Sequence, residues 1–152
     1  GDTAEWFIGT PPVSADDAPP LPGAYLELHV APTGLRTALR ILRPGQVETL
    51  ADIPFTAEVA VHGTPDDPAT DDDAWSVRFS LPWSELARLL PTVPAEGPKS
   101  VTLSTLVARY NYGRHLPYDE HGKGDAELTM WPAQPRADFH LRPYHAPLTL
   151  IT

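Results

Sequence analysis

The stretch Trp75–Leu90, WSVRFSLPWSELARLL, changes its hydrophobic period half-way along and decides the fold class. From Trp75 to Leu81, apolar and polar residues alternate strictly, which is typical of a half-buried strand. Pro82 suits the first turn of a helix, where a missing N–H group costs little. Apolar residues then follow at helical spacing, with Glu85 early and Arg88 late, the order that the helix dipole favours (Trp83, Leu86, Leu89, Leu90). The pattern predicts a strand that runs directly into one short helix near 82–90.

The rest of the chain reads as short strands joined by loops rich in proline or acidic residues. Two hairpins are expected, one over Ala24–Leu42 with an APTG turn and one over Phe55–Leu81 with an acidic loop. Further strands are predicted at Asp2–Ile8, Ser100–Tyr110, Glu127–Trp131 and Leu148–Ile151, while Pro44–Asp52 is either a loop or a short edge strand. About eight strands and one helix predict an all-β fold, an antiparallel β-sandwich of jelly-roll or immunoglobulin-like type, in a single domain spanning residues 1–152.

Composition excludes several classes of protein. Hydrophobic residues make up 41% of the 152 residues, as in a globular domain, and 19 prolines with little helix favour rigid loops. A net charge of −9 argues against binding to nucleic acid or an anionic membrane surface. The absence of cysteine excludes disulfides, thiolate zinc sites and cysteine nucleophiles. No apolar run approaches the roughly 20 residues of a membrane span, and no signal peptide is recognisable.

Several segments occur in an order that is similar to a known family. They are GDTAEWFIG, AYLELHVAPTG, FTAEVAV before an acidic loop, WSVRFSLPWSEL, LVARYNYGR, ELTMWPA and DFHLRPYHAPLTL. This order resembles the family 9 carbohydrate-binding modules and their close relatives, over most of the chain. The resemblance implies a β-sandwich that binds sugar without catalysis, structural calcium in some members, and attachment to secreted glycosidases. It also implies further strands upstream of Asp2–Ile8, so the domain is expected to be incomplete at its N-terminus.

The resemblance also implies four sugar-binding residues. Glu5 matches the family's acceptor for a sugar hydroxyl, and His29 stands where the family has a basic donor. Arg136 falls at a polar position, and Phe139 falls at the second aromatic residue that stacks on the sugar. Phe139 lies between polar loop residues and could be either exposed or buried. Replacing it with alanine is expected to abolish sugar binding and leave the fold intact, and Tyr110–Arg114 could flank the site.

The alternation of residues independently places a polar trio on one face of the predicted sheet. Glu5, Glu27 and His29 all point away from the predicted core. Glu5 and Glu27 could be a carboxylate pair for glycoside hydrolysis, but outward glutamates more often are solvated or hold a ligand hydroxyl. The trio therefore favours a ligand platform over an enzyme. Among the tryptophans, Trp75 and Trp83 read as core, whereas Trp6 and Trp131 could be either core or site.

Two clusters of polar side chains have the residue types that bind metals. The acidic run Asp66–Asp73 could hold calcium, although it lacks the spacing of an EF-hand and a solvated loop is the simpler interpretation. A second cluster matches no closed metal site (His115, Asp119, Glu120, His121, Asp125). Met130 raises haem ligation as an alternative, but a single methionine on a strand is more often part of a core.

The sequence therefore predicts a non-catalytic, secreted module that binds a mono- or oligosaccharide, with calcium as its candidate cofactor. The alternative is a structural or interaction domain without a sugar site. In that case a partner chain or a second copy would pair with an open sheet edge. An enzyme is the third and least favoured interpretation.

Overall fold

Antiparallel strands dominate the computed structural model, which describes residues 2–11, 24–43, 45–64, 74–90, 92–98, 101–111, 127–136 and 138–150. The strands are β1 Thr3–Gly9, β2 Tyr25–Val30, β3 Arg36–Arg43, β4 Gln46–Thr49, β5 Thr56–His62, β6 Ala74–Ser80, β7 Val101–Asn111, β8 Glu127–Trp131 and β9 Ala146–Leu150. One α-helix, α1, spans Trp83–Leu89, and a short 3-10 helix spans Arg142–Tyr144. The all-β, sandwich-like fold predicted from the sequence is confirmed, and the ambiguous segment after Pro44 contains the edge strand β4.

The larger sheet is organised around β7. Its strand order is β4-β3-β2-β1-β7-β8, and β9 also pairs with β7. β8 pairs with the second half of β7, from Val107 to Asn111, and β9 pairs with the first half, from Val101 to Thr105. The two short strands therefore lie end to end along one side of β7, while β1 occupies its other side. The hairpin β5–β6 forms a separate two-stranded sheet.

One face of the larger sheet, here called the inner face, carries the apolar core. Leu26, Leu28 and Val30 of β2 are completely buried on it. The helix packs its buried leucines against Ile8, Leu26 and Leu103, and the β5–β6 hairpin covers Leu28 and Val30 with its alternate apolar residues. Burying such side chains contributes roughly 1.5–3 kcal/mol each, so this layer supplies much of the stability.

The helix begins one residue later than the sequence suggests. Pro82 is the N-cap residue rather than a residue of the first turn, and its carbonyl accepts from the N–H groups of Glu85 and Leu86. Trp83 lies half-buried at the start of the helix, and its indole donates to the carbonyl of Pro94 at 2.8 Å. The predicted core role of Trp83 is confirmed by its packing on the inner face.

The opposite face, here called the outer face, is crossed by the segment 138–145. Odd-numbered residues of β1 and β2 point to this face, because successive side chains of a strand alternate. The segment packs Phe139 into a cluster with Phe7, Tyr25 and Leu106. This segment, here called the strap, includes the 3-10 helix Arg142–Tyr144. The outer face is buried like the inner face, but with polar residues among the aromatic ones.

Candidate functional site

Two buried carboxylates and one imidazole lie together on the outer face. Glu5 of β1 is 7% exposed and Glu27 of β2 is 4% exposed. His29 lies between them, with Nδ1 3.6 Å from Glu5 Oε1 and Nε2 3.4 Å from Glu27 Oε2. These distances are longer than a well-formed N–H···O hydrogen bond of about 2.9 Å, so the three side chains are close without fully satisfying one another.

The register of β1 and β2 brings this trio together. Glu5 is directly opposite His29, and Phe7 is directly opposite Glu27. Because side chains opposite and diagonal to one another on one face of a sheet are neighbours, Glu27 and His29, two positions apart on β2, both reach Glu5. The predicted trio therefore does share one sheet face. The expectation that its glutamates point outward into solvent is wrong, because both are buried on this face.

Burial and mutual charge change the acidity of the trio. Burial raises the pKa of Glu5, His29 opposes this shift, and Glu27 adds to it. Burial alone would lower the pKa of His29, but the interaction with Glu27 and the charge of Glu5 outweigh it, and the pKa of His29 lies above its ordinary value. The raised pKa of His29 favours its protonated form beside the two glutamates, whereas the raised pKa of Glu5 disfavours the charge of that carboxyl group.

His140 covers the carboxylate of Glu27 from the solvent side. Its Nδ1 lies 3.3 Å from Glu27 Oε1 and 2.7 Å from the hydroxyl of Tyr25. The His140 side chain is 60% exposed, in contrast to the carboxylate beneath it. The Tyr25 contact engages Nδ1, and Glu27 Oε1 has no hydrogen-bond partner among the described residues. His29 Nε2 also has no hydrogen-bond partner among the described residues, so the cluster has buried polar atoms that could bind a ligand.

A small depression adjoins the cluster at His140. It has a volume of about 170 Å³ and is lined by Tyr110, Leu128, Asp138, Phe139 and His140. Ligand pockets for drug-sized molecules span roughly 300–1,000 Å³, so this depression is sized for one small chemical unit. Aromatic and apolar walls beside carboxylates are suited to a ring with one apolar face and several polar substituents.

The predicted stacking role of Phe139 does not agree with its position. Phe139 is 6% exposed, with its ring centroid 6.0 Å from Phe7 and 5.4 Å from Tyr110. Of the two states that the sequence left open for Phe139, the structure shows the buried one, because the ring packs in the outer-face cluster while also bordering the depression. Its replacement by alanine therefore removes core packing, and the expectation of an intact fold is withdrawn.

Arg136 is exposed and pairs with Asp138 at 2.9 Å. Asp138 also accepts a hydrogen bond from the backbone N–H of His140. Burial alone would raise the pKa of Asp138, but these contacts outweigh it and lower that pKa. Arg136 thus borders the site through Asp138, while its predicted contact with a sugar stays a prediction.

Other predicted residues are divided between the core and the surface. Trp6 is half-buried, and its indole donates to Thr105 Oγ1 at 2.9 Å, whereas Trp131 is 61% exposed. Among the described residues no group of three or more His, Asp and Glu is placed to hold a metal ion. The acidic run Asp66–Asp73, the cluster at 115–125 and the flank at 112–114 lie outside the described residues. No helix in the described part of the chain is long and apolar enough to cross a membrane.

The comparisons identify no relative. The chain matches no family model, no curated protein and no solved structure. The resemblance to family 9 carbohydrate-binding modules therefore stays a prediction, and the site is interpreted from its own chemistry.

Three further residues belong to the site, and two of them, His140 and His145, could not be located from the sequence. Tyr25 and His140 belong to it through the hydrogen bond between them, and His145 supports it from below, donating from Nε2 to the carbonyl of Phe139 at 2.8 Å. The two histidines lie in a proline-rich segment without periodicity, which gives no signal of burial or partners. The alternation along β2 puts Tyr25 on the same face as Glu27 and His29.

Proposed function

We propose that this protein is a non-catalytic carbohydrate-binding domain whose site is the outer-face cluster. The observation that carries the proposal is the group of Glu5, Glu27 and His29, two buried carboxylates and an imidazole, with hydrogen-bonding atoms left unpartnered beside an aromatic-lined depression. Buried polar atoms without partners are costly, and they are retained where a ligand completes their hydrogen bonds. Sugar hydroxyl groups both donate and accept, which matches a cluster that offers both kinds of atom.

The test is calorimetric titration of the protein with a panel of mono- and disaccharides, with and without added calcium. Saturable binding in a one-to-one ratio is expected, and Glu27→Gln should weaken it at least tenfold, because charge-assisted hydrogen bonds are the stronger ones. Glu58→Gln is the matched control, since Glu58 is 72% exposed on β5 and pairs only with exposed Arg78 among the described residues. Absence of binding across the panel by a cooperatively folded protein would refute the proposal.

A second candidate function is pairing with another chain through the β5–β6 sheet. This sheet has only two strands among the described residues, and its inward residues are half-exposed. Nearby on the inner face, Val107 and Trp131 form an exposed cross-strand pair. Open strand edges beside exposed apolar surface favour association.

Sedimentation equilibrium tests the second candidate. A dimer that Trp131→Lys converts to monomer, while Tyr144→Lys at another exposed aromatic residue does not, would support pairing through this face. A monodisperse monomer over the whole concentration range would exclude self-pairing through this face.

A further inference from the structure

The charges around Glu27 narrow the class of sugar that the site accepts. Within the described residues, the ion pairs of Glu5 and Glu27 are formed with His29 and His140 alone. Arg142 lies on the same face, but it stacks over the Tyr25 ring at 4.4 Å and donates to the carbonyl of Thr10 at 2.6 Å. Within the described residues the two carboxyl groups are therefore paired with imidazoles and with no Arg or Lys side chain, an arrangement that disfavours an acidic sugar and favours a positive one.

Glu27 supplies a buried acceptor in contact with His140, which is one of the residues that line the depression. The residue is 96% buried, and its Oε1 lies without a hydrogen bond beneath His140, which lines the depression. A buried carboxylate oxygen is costly unless a donor, preferably a charged one, completes it. The nitrogen of His140 now lies in the position that such a donor would take, 3.3 Å from Oε1 and 2.7 Å from the Tyr25 hydroxyl.

The walls of the depression are also compatible with a cation. Tyr110 and Phe139 lie edge to face at 5.4 Å, and Asp138 adds a carboxylate beside them. Ammonium groups are attracted to aromatic faces and to carboxylates, and three N–H donors match an arrangement in which several acceptors converge.

We propose, building on the proposed carbohydrate-binding function, that the site takes an amino sugar whose primary ammonium group displaces the His140 imidazole and pairs with Glu27 Oε1. The pyranose ring then rests against the aromatic wall of the depression. His140 acts as a side chain that is displaced on binding, because it is exposed while the carboxylate beneath it is not. A primary amine from another source, such as an alkylamine, would present the same chemistry, so the test includes one.

The experiment is calorimetric titration of the wild-type chain with D-glucosamine, D-glucose, N-acetyl-D-glucosamine, D-glucuronic acid and n-butylamine. Glucosamine is expected to bind about tenfold tighter than glucose and the amine-blocked sugar, since a charge-assisted bond replaces a neutral one. Glucuronic acid is expected to bind more weakly than glucose. In Glu27→Gln the preference for the amine should disappear, while Glu58→Gln should keep it and so exclude the general negative charge of the chain as its cause.

Each outcome separates this inference from the function on which it rests. Equal affinity for glucosamine and glucose would overturn the amino-sugar inference and leave carbohydrate binding in place. Butylamine binding as tightly as glucosamine, with glucose silent, would overturn the sugar part of both proposals and leave an amine site. Silence with every ligand would overturn both proposals, and because this readout uses the wild-type chain it does not depend on the folding of any variant.

Discussion

The two faces of β2 are both buried, yet different forces hold their side chains in place. On the inner face Leu26, Leu28 and Val30 are covered by α1 and the β5–β6 hairpin, and apolar contact alone suffices. On the outer face Glu27 and its neighbours are covered by the strap, and their burial leaves polar atoms without partners. The inner face therefore stabilises the fold by apolar burial. The outer face keeps buried polar atoms that could bind a ligand, and these atoms lower stability because buried polar groups cost free energy unless they are paired.

The largest effect is expected from shortening a side chain on the inner face. Leu28→Ala leaves a cavity where the side chain is completely buried, and it should lower the free energy of unfolding by about 4 kcal/mol. Exposed Leu35→Ala, on the turn before β3, is the matched control and should change it by less than about 0.5 kcal/mol. Urea denaturation measures both, and similar losses in the two variants would contradict the assignment of the core.

A somewhat smaller loss is expected on the outer face from Phe139→Ala. The variant removes packing on Phe7 and Tyr110, and it should cost about 3 kcal/mol, since Phe139 already borders an open depression. The measurement is again urea denaturation. A wild-type midpoint together with lost ligand affinity would mean that the ring is a binding surface, and the comparison between the two faces would then fail.

The pH dependence of stability tests whether His145 of the strap is buried. Burial lowers the pKa of His145 to about 4, below its ordinary value of 6.5. Because the unfolded chain then binds the His145 proton more tightly, the contribution of neutral His145 to stability is fully present above pH 6.5. This contribution is lost as the pH falls through 4. The total is about 3 kcal/mol at 1.36 kcal/mol per pKa unit. His145→Gln keeps a donor for the Phe139 carbonyl and should flatten this part of the profile.

Glu5 and His29 change the stability with pH in the direction opposite to His145. The test therefore compares the pH profile of each variant with that of the wild type. The pKa values of Glu5 and His29 are raised, and the folded state binds their protons more tightly, which lowers stability as the pH rises through those values. His62→Gln, at an exposed position on β5, is the matched control and should follow the wild-type curve. Coincident curves for wild type and His145→Gln between pH 4 and 6.5 would show that His145 is not buried in solution.

The smallest change in stability is expected from Glu5→Gln. Folding raises the pKa of Glu5 and so disfavours its charge, and removing that charge should offset the lost contact with His29. The free energy of unfolding should change by no more than about 1 kcal/mol, while the proposed sugar affinity falls at least tenfold. Thermal denaturation and calorimetry give the two values, and a large loss of stability would place Glu5 among the structural residues.

The sequence predicts those parts of the molecule that depend on short-range patterns. Alternation assigned Leu28 to the core and Glu27 to the other face, because a period of two is a property of the strand itself. The burial of Phe139 had no such signal, since it depends on Phe7 more than a hundred positions away and lies in a segment without periodicity. The same holds for His140, whose partners Tyr25 and Glu27 belong to a distant strand.

The position of β7 sets the order in which the molecule can assemble. β1 hydrogen-bonds along β7, and Trp6 and Thr105 in that pair are 99 positions apart in the chain. During synthesis β1 emerges before β7, and among the described strands β2 is its one partner until this central strand appears. Until β7 has been synthesised, the edge of β1 that will face it is unpaired. Sheets dominated by such distant pairings also fold slowly, in roughly milliseconds to seconds.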